Sequence, residues 1–165
     1  MPKDYSIQEI QQEFESLLNA LQSAQLATLD QNKLPQASYA PYLRHENSFY
    51  FYLSDLANHA KNLKNNPTIS LMFIEDEGKS RNIFARRRII IYGSSFIVER
   101  GTAVFDEVLG EFKHRFGDFI DVIQPLTDFN LFQIKPDSGR FIRGFAQAFE
   151  LSGSDLKVIR HISTS

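Results

Sequence analysis

The sequence predicts an α+β protein: an antiparallel β-barrel of six or seven strands, Greek-key in type, with a few helices laid against it. Three observations carry this. Short β-prone runs recur between clusters of turn residues, three separate stretches switch to helical spacing, and phenylalanine is overrepresented, with 15 Phe and 6 Tyr but no Trp. At 165 residues and 42% apolar content the chain suits one compact domain over residues 1–165. Within it we expect an N-terminal helix over 6–23, a barrel core over 24–151 and a tail over 152–165.

The helix opens with Ser6 and Glu9 in capping-box spacing, and Ile7, Ile10, Phe14, Leu17, Leu18 and Leu21 then form one apolar stripe. "AQLATLD", "LPQASYAPYL" and "SFYFYLS" read as a three-stranded meander joined by "DQNK" and "RHEN". A short helix follows in "SDLANHAKNLKNNP", with Ser54 or Asp55 as cap and Asn65, Asn66 and Pro67 as stop. "TISLMFIED" is a strand, "EDEGKSRN" a connection, and "IFARRRIIIYGSSFIVER" a long strand bent or bulged at Gly93. "GTAVFDEVLGEFKHRFG" returns to helix and ends at Gly117. "DFNLFQIKP" and "RFIRGFAQAFEL" are two further strands around a "PDSG" turn, and "SGSDLKVIRHISTS" starts a helix behind a Ser cap.

A formal charge of −2 and a pI near 6.1 give no general attraction for nucleic acid or an anionic membrane. The absence of cysteine excludes disulfides, thiolate metal sites and cysteine nucleophiles. With no leader-like N-terminus and no apolar run long enough to span a bilayer, the expected location is cytoplasmic, with neither nucleic acid nor membrane as a partner. Walker, Rossmann and G-x-S-x-G patterns are missing.

The conspicuous motif is "FARRRIIIYG", residues 84–93. If extended, it places Arg86 and Arg88 on one face and Arg87 on the other. Two readings stay open: a charged strand end that discourages edge pairing, and a clamp for phosphate or carboxylate. Gly144, Ala146 and Ala148 alternate along the final strand, leaving room for a packed helix, a partner subunit or a planar ligand. Among the four histidines, His59 lies beside Lys61 at a helix start, His161 lies in the tail, His45 falls in a turn and His114 on a helix. No paired-histidine zinc motif occurs.

"LSDLANHAKNLKNNPTISLMFIED" resembles the helix-to-strand segment of flavin-binding split barrels related to pyridoxamine-phosphate oxidase, in which a base at the position of Lys61 meets the flavin phosphate. "HAKNL", "MFIEDEGKSRNIFARRRIIIYG", "FNLFQIKPDSGRFIRGFAQAFEL" and "SGSDL" together are similar to the HugZ/HutZ-type heme-degrading proteins of bacterial iron acquisition. That resemblance implies an antiparallel split barrel, a homodimer, and heme bound near the subunit interface in place of FMN. It puts Arg88 near the heme and its oxygen, Arg86 and Arg87 near the propionates, and His59 near the interface. Asp128 corresponds to the aspartate that hydrogen-bonds the axial histidine, fixing its tautomer and raising its donor strength. The family carries that histidine in a C-terminal Gly-His element beyond the position of Ser165, so His161 is the in-chain candidate for heme iron. The implied activity is a heme oxygenase-type reaction, with a heme-delivery protein or a reductase as further partners. The alternatives are an FMN-dependent oxidoreductase and a non-enzymatic heme carrier or store.

Overall fold

The structure, a computed structural model, describes residues 6–162. In chain order it contains α1 (Ile7–Ala20), β1 (Ser23–Leu29), β2 (Pro35–Pro41), β3 (Leu43–His45), β4 (Ser48–Ser54), α2 (Asn58–Asn65), β5 (Thr68–Ile74) and β6 (Arg88–Val98). These are followed by α3 (Ala103–Phe116), α4 (Phe119–Ile123), β7 (Phe129–Gly144), β8 (Gln147–Ser152) and β9 (Lys157–Ile162). Every strand pairing is antiparallel. The sheet runs β2-β1-β5-β6-β7-β4-β3, and β8 and β9 branch from β7.

The branch explains why the barrel is split. β7 has β6 along one side throughout, but its other side pairs first with β4, from Phe129 to Ile134, and then with β8, from Ser138 onward. The change of partner coincides with a register shift at Tyr92/Gly93 opposite Pro136, whose missing N–H suits a break in the ladder. Gly93 is required there, because a Cβ would sit 2.3 Å from the Lys135 carbonyl oxygen. The expected bulge is thus present.

β4 is buried on both faces and serves two apolar clusters by simple alternation. Phe49, Phe51 and Leu53 join Phe14, Tyr42, Phe73, Ile89 and Phe141 beneath α1. Tyr50 and Tyr52 join Phe105, Phe112 and Leu131 beneath α3. α1 carries the expected capping box and is tied to the sheet by ion pairs from Glu13 to Arg143 and from Glu15 to Arg44. The Tyr42 hydroxyl donates to the Leu18 carbonyl at 2.7 Å, and burial pushes its pKa up to about 12. α3 ends at Gly117, at φ 80°, as expected.

The expected antiparallel split barrel with flanking helices is present: among the described residues seven strands form the main path and β8 and β9 branch from it, leaving β2, β3 and β9 as edges. Four local expectations are corrected. "PDSG" makes no turn, since β7 runs through it while paired with β6. The reversal falls at Phe145–Ala146, with Ala146 at φ 56°, so Gly144, Ala146 and Ala148 do not form a stripe on one strand. Residues 157–162 form β9 where a helix was expected, drawn to the β8 edge and anchored by the buried Leu156 and Val158. α2 begins after Ala57 with no side-chain cap, because Ser54 and Asp55 are engaged elsewhere. β3, which contains His45, and α4 were not anticipated.

Candidate functional site

The three arginines do not share one role. The chain between β5 and β6 forms short 3-10 turns at Glu77–Lys79 and Ile83–Ala85, and β6 begins only at Arg88, so Arg86 and Arg88 do not line one extended face. Glu75, only 7% exposed, accepts from the Arg87 backbone N–H at 2.8 Å and from its Nε at 2.9 Å. Arg86 donates through Nε to the Glu75 carbonyl at 2.5 Å and through Nη1 to Glu77 at 3.2 Å. Both therefore hold the loop in place. Arg88 donates through Nη1 to the Arg86 carbonyl at 2.9 Å and, among the described residues, meets no carboxylate. Its positive charge is left for an external anion or acceptor.

On the sheet face of Arg88, but without Arg88 in its lining, lies an open groove of about 420 Å³ bounded by the side chains of Tyr92, Arg140, Glu150 and Arg160 among others. The register Arg88–Ile142–Ala148–Ile162 brings the end of β9 three strands from Arg88, roughly 14 Å away at ordinary strand spacing. His161 belongs to the neighbouring row, Ile89–Phe141–Phe149–His161, and so points to the opposite face. Its ring lies 5.1 Å from Phe149, and Nε2 is 3.0 Å from the Ala146 carbonyl. As placed, it is not directed at the space before Arg88.

Asp128 lies in the turn entering β7. Its Oδ2 accepts from Ser54 Oγ at 2.7 Å, its carbonyl accepts from the Asp55 N–H at 2.8 Å, and Oδ1 has no donor among the described residues. Asp55 in turn meets Lys64 at 2.5 Å and Asn130 at 2.8 Å, and the Lys64 hydrogen bond holds its carboxyl below the usual range. Lys61 is exposed on α2, near enough to Asp55 to favour its ionised form.

His59, also on α2, is half-buried in a hollow of about 360 Å³ with Thr28, Gln36 and Ser38, and its Nδ1 is 3.0 Å from Ser38 Oγ. Asn62 on the same helix donates to Thr28 and Gln36, both at 3.0 Å, which fixes α2 over β1 and β2. Burial lowers the His59 pKa from its ordinary 6.5. A folded pKa below the unfolded value means that His59 favours folding fully above about pH 6.5, and that this is lost as pH falls through the folded pKa. NMR titration of the His59 ring should give a midpoint below 6.5, and His59→Phe should reduce the loss of thermal stability between about pH 7 and 5. A midpoint at or above 6.5 contradicts the buried, neutral ring.

The expected site residues thus form two groups. Arg86, Arg87, Arg88 and His161 lie at one end of the β6–β7 ladder, and Asp128, His59 and Lys61 lie toward the other. Arg88 pairs with Ile142 on β7, and Asp128 precedes Phe129 at the start of that strand. Fourteen residues of extended chain, from 128 to 142 at about 3.3 Å each, separate the two levels. Sequence reasoning missed Glu75, Ser54 and Asp55. The acidic "IED" before the arginine run was a signal for the first, and nothing local pointed to the others.

A family profile described as pyridoxamine 5'-phosphate oxidase matches residues 10–143. The chain is 38% identical over 156 residues, 94% of its length and 85% of the relative's, to heme oxygenase HutZ of Vibrio cholerae. The crystal structure of HutZ from Vibrio cholerae, described as a heme storage protein, superposes with a TM-score of 0.77 at 36% identity, over 81% of this chain and 94% of that one. Campylobacter jejuni ChuZ gives a TM-score of 0.88 at 29% identity over 98% of this chain, which spans 65% of that structure's length. Among the described residues no helix is long and apolar enough to cross a membrane.

Proposed function

Because the chain belongs to the pyridoxamine 5'-phosphate oxidase family, and within it to the HutZ-type heme-utilization proteins, we propose that it binds heme and opens the porphyrin with O2 and reductant to release iron. We further propose that it works as a homodimer in which each heme lies between the Arg88 end of one subunit and the Asp128 end of the other. The observation that carries this reading is the separation of Arg88 from Asp128 along β7, together with the incomplete pairing of both groups. An antiparallel, two-fold pairing of copies brings unlike ends together twice.

The residues present suit heme. Tyr92, 44% exposed in the groove, offers an aromatic face, Arg88 offers an unopposed guanidinium, and Asp128 Oδ1 offers an acceptor. When bound, heme supplies the redox-active iron that activates oxygen and is itself the substrate. Arg88 would donate hydrogen bonds toward bound heme and would compensate negative charge there. Asp128 would accept an imidazole N–H and so fix the tautomer of the ring that carries it. His161 is the in-chain imidazole at the Arg88 end, and serving as the ligand requires β9 to leave Ala146 and Phe149. A reductase as electron donor and a heme-delivery protein are the partners this reaction implies.

The family name favours FMN as the second reading. A phosphate grip by Lys61 and the arginines would have to draw Arg86 and Arg87 from Glu77 and Glu75. A hemin titration of the purified chain and of His161→Ala separates these readings. The heme reading expects a sharp, saturable Soret band at one heme per chain, and its loss in His161→Ala makes that residue the ligand. The broad absorption of free hemin, with a flavin spectrum on addition of FMN, overturns it. A Soret band unchanged under ascorbate and O2 makes the protein a carrier or store.

A further inference from the structure

We propose that His45, Glu107 and Glu111 form a separate site for a divalent first-row transition-metal ion, on the face where β3 meets α3. One potential ligand atom from each residue lies within 4.8 Å of the other two. His45 Nδ1 is 2.8 Å from Glu111 Oε1, and Nε2 is 3.9 Å from Glu107 Oε1. One ring nitrogen of His45 faces the ion, and three ligand atoms that share an ion at about 2.0–2.2 Å lie roughly 3.0–3.8 Å from one another, so closure needs about one to two ångström of movement. Glu107, whose side chain is 61% exposed, has the freedom to supply it.

The fold presents these groups on rigid supports. α3 starts at the Thr102 cap and is anchored by Phe105, Val108, Leu109 and Phe112, so Glu107 and Glu111 occupy successive turns on its outer side. The His45 ring meets Tyr50 edge-on at 6.1 Å, and the Tyr50 hydroxyl accepts from Gln133 at 3.0 Å. Glu46, held at φ 51°, starts the turn after His45 and lines with Glu99 and Tyr50 a groove of about 450 Å³ that opens on the cluster.

The charge pattern points to a cation. Carboxylates four residues apart on a helix repel one another. Among the described residues neither Glu107 nor Glu111 meets a lysine or arginine, and the ion-pair contacts of both go to a single imidazole. The histidine distinguishes this from an acidic surface patch, because an imidazole nitrogen with two carboxylates and open water positions suits Mn, Fe, Co or Zn better than Mg or Ca. The site uses none of the residues assigned to heme, so it stands or falls independently of that reading.

The test is titration of the heme-free chain with Co2+, read by visible absorption, and with Zn2+, read by calorimetry. The expected result is one ion per chain, undisplaced by excess Mg2+. His45→Ala and Glu111→Gln should each weaken binding at least about tenfold, the lower end of what loss of even an outer-shell partner costs. His114→Ala, an exposed histidine of the same helix, should change nothing. Glu107→Gln combined with Glu111→Gln covers the case in which His45→Ala fails to fold. Absence of saturable binding, or undiminished binding in the Glu111→Gln and double Gln variants with parental thermal unfolding, overturns the proposal.

Discussion

Arg88→Ala is expected to leave heme affinity close to the parent's while slowing porphyrin opening about 100-fold, the scale for removing one donor that acts where charge develops. The expectation rests on Arg88 being the arginine of its run without a carboxylate partner. Its guanidinium is held by a single backbone carbonyl, so truncation removes a donor and leaves no buried acid unpaired. Arg87→Ala provides the contrast. It strips Glu75 of its guanidinium, and because Glu75 is 7% exposed the loss should appear as lowered thermal stability. Single-turnover decay of the Soret band under ascorbate, with affinity measured separately, checks both. Parental turnover in Arg88→Ala sinks its assignment.

Asp128→Asn should have the opposite signature. The asparagine amide oxygen keeps an acceptor for Ser54, so the turn into β7 is retained, but the negative charge is gone. An axial imidazole that donates to a neutral amide is a weaker donor to iron than one facing a carboxylate, and heme affinity should fall about 10- to 100-fold. The measurement is a hemin titration with the Soret position recorded for each variant. Unchanged affinity and an unshifted band would mean that Asp128 serves only the Ser54–Asp55 turn.

The sequence was legible where local chemistry decides the structure. The Ser6–Glu9 capping box, the Gly117 stop and the Gly93 bulge each follow from the residues at those positions. It was misleading where long-range pairing outweighs local preference. "PDSG" has turn composition, yet β6 holds it in a strand, and the reversal moves to Ala146 despite its positive φ. The tail has helix-start chemistry, but the β8 edge and the Gln11 side chain, which accepts from the Val158 N–H at 2.8 Å, draw it into a strand. The arginine run was legible as an anion site only in part. Alternation paired Arg86 with Arg88, whereas Glu75 and Glu77, reached through a turn that alternation does not describe, claim Arg86 and Arg87. That Asp128 and Arg88 lie at opposite ends of one ladder depends on strand register, which no motif encodes.

The shared site is tested most directly by hybrid dimers. Co-expressed, differently tagged Arg88→Ala and Asp128→Asn subunits would be isolated as the mixed species and assayed for heme degradation. If each site takes Arg88 from one subunit and Asp128 from the other, one site of every hybrid carries both defects and the other carries none. At a heme concentration that saturates the parent but not the Asp128→Asn homodimer, the account predicts about half the parental activity per hybrid, against near-background values for either homodimer. A hybrid no more active than the two homodimers would show that both residues act within one subunit, or that they do not serve one site.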